Sequence, residues 1–190
     1  MYKLKATPLD IDGSFVFDWS PVVDERGLFS RLFCERELRD QCGIVRPFVQ
    51  GNYSTNTMRG TLRGLHFLAA PKLEGKLVRC LRGEVQDIFV DLRLNSPTRL
   101  QYVNITLSAQ NGKMIYVPPG CAHGYLTLSQ EADVFYLVQE HYEKEFDRAL
   151  AWNDPDLNLP WTRFDEYQLS ERDRLAPEFS KFEVSDFLEI

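Results

Sequence analysis

The stretch GKMIYVPPGCAHGY, residues 112–125, decides the fold. MIYV (114–117) is a short apolar run, and Pro118-Pro119-Gly120 is a turn that neither a helix nor a strand interior tolerates. A second run, GYLTL (124–128), then resumes, so the segment reads as strand, turn, strand. Working outward, apolar runs recur at 13–19, 27–33, 48–54, 61–67, 76–81, 85–92, 102–108 and 132–139. Asn95-Ser96-Pro97 and Gln110-Asn111-Gly112 punctuate them as turns, and Arg82-Gly83-Glu84 reads as a tight hairpin. Residues 34–42 are the one early helix candidate, with Gly43 as its C-cap. Strand after strand with few helices predicts a mainly β, antiparallel sandwich or barrel.

The 190 residues, 44% of them apolar, predict one domain with a substantial core. We expect a barrel over about 10–145. The Pro- and charge-rich residues 146–190 should form a cap on it, with a short helix beginning in LSERDRL (169–175). A net charge of −6 argues against a nucleic-acid surface but leaves room for a local basic pocket. The N-terminal MYKLKATPLDIDGS is too polar for a signal peptide, and no run reaches the roughly 18 apolar residues of a membrane span. Cys34, Cys42, Cys80 and Cys121 form no CxxC pair and no disulfide framework, which suits a reducing cytoplasm.

The spacing inside the deciding stretch is Gly112, five residues, Pro118, one residue, Gly120, two residues, His123. It resembles the second motif of the cupins, whose fold is a jelly-roll barrel. The first cupin motif has Gly, five residues, His-x-His and a following glutamate. Here Gly60 is followed by TLRGL and His66, but Leu68 stands at the second histidine position, and Lys72 and Leu73 at the glutamate positions. A stable metal site needs three or four converging ligands. We therefore expect a cupin barrel with no metal and no cofactor.

Two charges fall on apolar strand faces. Lys76 shares a face with Val78 and Cys80, and Asp87 with Val85 and Phe89. Such charges are costly to bury unless paired or functional, so either a structural Lys76–Asp87 pair or a site is expected. Asp173 is equally two-sided, because Ser170-Glu171-Arg172-Asp173 also spells a helix cap. His66, His123, Lys76, Tyr136 and the Arg59/Arg63 pair together suggest acid–base chemistry on an anionic substrate.

With these residues in view, the chain resembles the cupin-type dTDP-4-dehydrorhamnose 3,5-epimerases over about residues 10–175. The resemblance rests on DERG (24–27), VQGN (49–52), TLRGLHF (61–67), GKLVRCLRGEV (75–85), VDLRLNSPT (90–98), LSAQNG (107–112), VPPGCAHGY (117–125), WNDPDLNLPW (152–161) and LSERD (169–173). It implies epimerisation at C3 and C5 of a nucleoside diphosphate 4-keto-6-deoxy sugar. His66 is the implied base with Asp173 as its partner, Lys76 the enolate stabiliser, and Tyr136 the acid on the opposite face. It implies diphosphate contacts from Arg26 and Arg63, nucleotide-sugar contacts from Gln50 and Asn52, and substrate-site places for His123 and Arg172. It also implies a homodimer with exchanged N-terminal strands.

Three departures stand out. Leu137 replaces a lysine common after the acid tyrosine, His141-Tyr142 replaces an aromatic pair, and Arg31 replaces an acidic residue after DERG. All three are expected near the nucleotide end. The competing readings are a C3-only mono-epimerase, a non-catalytic sugar-nucleotide-binding cupin, and a metal-dependent cupin oxygenase or isomerase.

Overall fold

The computed structural model describes residues 4–190; the first three residues of the expected domain lie outside the described residues. In chain order the strands are β1 (Lys5–Pro8), β2 (Phe15–Asp18), β3 (Val22–Asp24), β4 (Gly27–Phe29), β5 (Gln50–Asn56), β6 (Leu62–Leu68) and β7 (Lys76–Arg82). They continue with β8 (Glu84–Asp91), β9 (Tyr102–Ser108), β10 (Met114–Val117), β11 (Cys121–Thr127), β12 (Ala132–Val138) and β13 (Asp147–Ala149). The helices are α1 (Glu35–Cys42) and the single turn α2 (Glu171–Arg174). Gly43 closes α1 in the left-handed region, at φ 68°, and its N–H reaches the Arg39 carbonyl. Among the described residues, no helix is long and apolar enough to cross a membrane.

Two sheets face each other as a cupin-type barrel. One has the order β1-β2-β10-β7-β12-β5, the other β13-β6-β11-β8-β9, and every pairing is antiparallel. The strands flanking Pro118-Pro119-Gly120 therefore belong to different sheets, so the segment that announces the fold is a corner between layers. The same holds for Arg82-Gly83-Glu84, which sequence reasoning takes for a hairpin. A tight turn specifies a reversal of direction, and here the reversal carries the chain from β7 across to β8.

Alternation sets the interior. Val78, Cys80, Ile115, Val117 and Val134 from one sheet meet Val85, Phe89, Val103 and Leu107 from the other. Each such side chain contributes about 1.5–3 kcal/mol by leaving water. The outer face of the five-stranded sheet, with Leu62, Ile88, Val90 and Leu126, lies under Leu150, Leu157, Trp161 and Phe187 of the C-terminal segment. On the other sheet, α1 places Leu38 against Leu77, Met114 and Tyr116.

The run 27–33 forms a strand only over Gly27–Phe29, paired with β3 in a separate two-stranded hairpin. All three β4 residues are exposed, with no sheet to extend them. Two of the departures also settle here. Leu137 packs against the cluster around Leu38 and Leu77, and Arg31 forms an ion pair with Glu37. Neither lines this chain's own cavity, described below.

Candidate active site

The barrel interior is apolar over most of its length and polar at one end. Along β5 the residues Gln50, Asn52, Ser54 and Asn56 share one face, opposite Val138, Tyr136, Val134 and Ala132 of β12. This face borders a cavity of about 690 Å3. Among its lining residues are His66, Lys76, Tyr136, Asp173, Gln50, Asn52, Arg63, His123 and Arg172. Two predicted site residues lie outside it: Arg59, which stacks on the Phe164 ring, and Arg26. The latter sits on the β3–β4 hairpin, 82% exposed at its side chain, bonded to Asp24.

Arg63 and His66 lie three residues apart, a spacing that should send them to opposite faces of a strand. A bulge restores the parity. Tyr125 pairs with Arg63 and His123 with His66, so between these pairs Gly124 of β11 alone opposes two residues of β6, Gly64 and Leu65. Gly64 makes the bulge feasible. Its φ is +113°, and a Cβ there would stand 2.6 Å from the His123 carbonyl oxygen. The RGLH spacing is thus a device for turning a cation and an imidazole into one cavity.

The two imidazoles, neighbours across β6 and β11, each contact a different carboxylate. His66 Nε2 lies 2.6 Å from Asp173 Oδ1, and His123 Nε2 lies 2.9 Å from Asp87 Oδ2. Asp87 is fully buried and serves His123, not the expected Lys76. Lys76 pairs instead with Glu74. Among the described residues no three histidine, cysteine, aspartate or glutamate side chains are grouped to hold a metal ion.

Asp173 makes the contacts of both readings at once. Ser170 Oγ accepts the Asp173 N–H at 3.1 Å as a helix cap, while the carboxylate turns to His66. Burial pushes the Asp173 carboxyl up, but hydrogen bonds with His66, Ser170 and the Gly64 backbone outweigh it and hold the group below its ordinary range. A carboxylate so held stays charged and stabilises a proton arriving on His66. Tyr136 shifts the opposite way, with burial first and Tyr125 and Glu74 next raising its phenol above the ordinary value. It therefore keeps its proton, as a donor must.

Sequence reasoning passed over several cavity residues. Glu74 was legible two positions before Lys76, and Ser54 as the continuation of the Gln50, Asn52 face. Tyr125, in the AHGY motif, bonds Ser54 Oγ at 2.6 Å. Asp147 lines the rim and holds Arg172 at 2.7 Å; no short-range pattern announced that contact.

The profile described as dTDP-4-dehydrorhamnose 3,5-epimerase matches residues 8–181. The enzyme of that name from Pseudomonas aeruginosa is 40% identical over 93% of this chain and 97% of its own. The one from Sinorhizobium fredii is 42% identical over 85% and 83%. The crystal structure of dTDP-6-deoxy-D-glucose-3,5-epimerase from Legionella pneumophila, in complex with dTDP-4-keto-L-rhamnose, superposes with a TM-score of 0.93. It shares 34% identity and covers 98% of both chains.

Proposed function

The chain belongs to the dTDP-4-dehydrorhamnose 3,5-epimerase family, and we propose that it inverts C3 and C5 of a dTDP-linked 4-keto-6-deoxyhexose. The observation that carries the reading is the placement of base and acid. His66 stands on β6 of one sheet and Tyr136 on β12 of the other, and both line one cavity. A planar enolate between them loses its proton to one side and regains it from the other, which is what inversion requires.

The C4 ketone acidifies the hydrogens on C3 and C5. The ring nitrogen of His66 not engaged by Asp173 takes a proton from one carbon. The charge that develops on the C4 oxygen is met by the Lys76 ammonium. Tyr136 then delivers its proton to the opposite face. Once His66 has released its proton to solvent and Tyr136 has regained one, the same two steps at the second carbon complete the product. Substrate and product are isomers of one oxidation level, so proton transfer among these side chains accounts for the reaction. Arg63 holds the diphosphate end, Gln50 and Asn52 hold the nucleotide-sugar, and His123 and Arg172 line the substrate site.

The barrel and its C-terminal cap act as one domain in this reading, and the setting is the cytoplasm. The active form is a homodimer. Two features support it: the β3–β4 hairpin exposes Val23, Leu28 and Phe29, the last at 69%, and Arg26 lies outside its own cavity. Arg26 then reaches the diphosphate of the second copy.

Turnover of the 4-keto sugar nucleotide in deuterated water, followed by NMR, tests the reaction. Label should enter at both C3 and C5. Label at C3 alone would reduce the assignment to a mono-epimerase, and label at neither would leave a binding protein.

A further inference from the structure

An arginine that grips a phosphate must be aimed, because its side chain is long and its charge useful only in one direction. Arg63 donates from Nε to Asn56 Oδ1 at 2.8 Å. Asn56 ends β5 and is 3% exposed. Its amide is fully committed. Nδ2 donates to the Ala132 carbonyl at 3.0 Å and to the Tyr125 hydroxyl at 3.3 Å. An amide nitrogen donates and an amide oxygen accepts, so the Ala132 carbonyl decides which end of Asn56 faces Arg63.

Two consequences follow. Engaging Nε leaves the terminal nitrogens as a fork for two parallel bonds to phosphate oxygens. The partner is also neutral. Arg26, Arg82, Arg93 and Arg172 each sit on an aspartate carboxylate. Arg63 makes no ion pair among the described residues. Its charge is therefore undiluted. We infer that Asn56 is the positioning residue of the phosphate-binding arginine, a buried neutral acceptor that orients Arg63 without neutralising it. This rests on the proposed role of Arg63 at the diphosphate.

The test is thymidine diphosphate affinity, with KM and kcat for the sugar nucleotide, across Asn56→Ala, Asn56→Asp, Arg63→Ala and the Asn56→Ala/Arg63→Ala double variant. Asn56→Ala should weaken diphosphate binding by about tenfold, with the loss falling on KM more than on kcat. Asn56→Asp, nearly isosteric, should weaken it further, because it keeps the acceptor and sets a negative charge against the ligand. It carries the test alone if the alanine variant does not fold. In the Arg63→Ala background, Asn56→Ala should cost nothing more. Losses that multiply in the double variant would make Asn56 merely structural and overturn the inference while leaving Arg63 at the phosphate. Unchanged affinity in Arg63→Ala would overturn the phosphate reading itself, and the inference with it.

Discussion

At the scale of single residues, the cavity pushes two titratable groups apart, with Asp173 lowered and Tyr136 raised. The Asp173 carboxyl is buried, yet its hydrogen bonds hold it below the ordinary carboxylate range, near 4 in the unfolded chain. Its charge is present at every pH above that range and is lost only as the pH falls through the lowered folded value. The same sign applies to its contribution to stability. Asp173→Asn should therefore cost on the order of 10²-fold or more in kcat, by an amount that stays constant from about pH 5 to 9. A kcat–pH profile of the two proteins checks this. A deficit that vanishes below pH 6 would show that Asp173 does not act as the charged partner of His66.

At the scale of elements, the bulge in β6 matters most. Gly64 meets both the positive φ and the close approach of β11 that the bulge requires. Gly64→Ala should destabilise the protein by about 2–4 kcal/mol and remove most activity, because the backbone must move and His66 turns with it. Urea unfolding checks the first part; an unchanged midpoint would mean the bulge tolerates a side chain.

This scale also shows what the sequence could tell. Most strands were legible, since apolar runs and turn residues are local signals, but the short β1, β3 and β13 were not. Sheet membership was not: the turns after Arg82 and Val117 look like hairpins and are crossings. Residue parity was not legible either, because one extra residue in β6 puts Arg63 and His66 on the same face. His66, Lys76 and Tyr136 could be singled out because polar or ionisable groups on apolar strands are conspicuous. The partners were harder. Asp87 stands out on its strand, with a structural pair to Lys76 as one of two readings, whereas His123, 36 residues away, holds it. Glu74 was overlooked beside the lysine it pairs with. Partner choice depends on how strands register across the lumen, and no window of sequence contains that information.

At the scale of the whole molecule, the layers divide the labour. The C-terminal segment covers the outer face of the five-stranded sheet and supplies Asp173 to its rim. The other sheet is covered by α1 near Leu77, while Tyr53 and Leu81 remain exposed. A second copy that used this face and the β3–β4 hairpin would bring Arg26 to a cavity. Arg26→Ala and His66→Ala homodimers should each be impaired at low substrate. Mixed after subunit exchange, they should recover about a quarter of wild-type activity, because half the dimers are then mixed and each holds one intact site. A monomer by light scattering, or mixing without recovery, would place Arg26 outside the site. The central claim, a base and an acid on opposite walls of one barrel, is tested most directly by comparing His66→Ala with Tyr136→Phe in deuterated water. The account predicts that His66→Ala loses exchange and inversion together, whereas Tyr136→Phe keeps exchange at the acidic carbons and loses most inversion. Near-normal exchange in His66→Ala would contradict it.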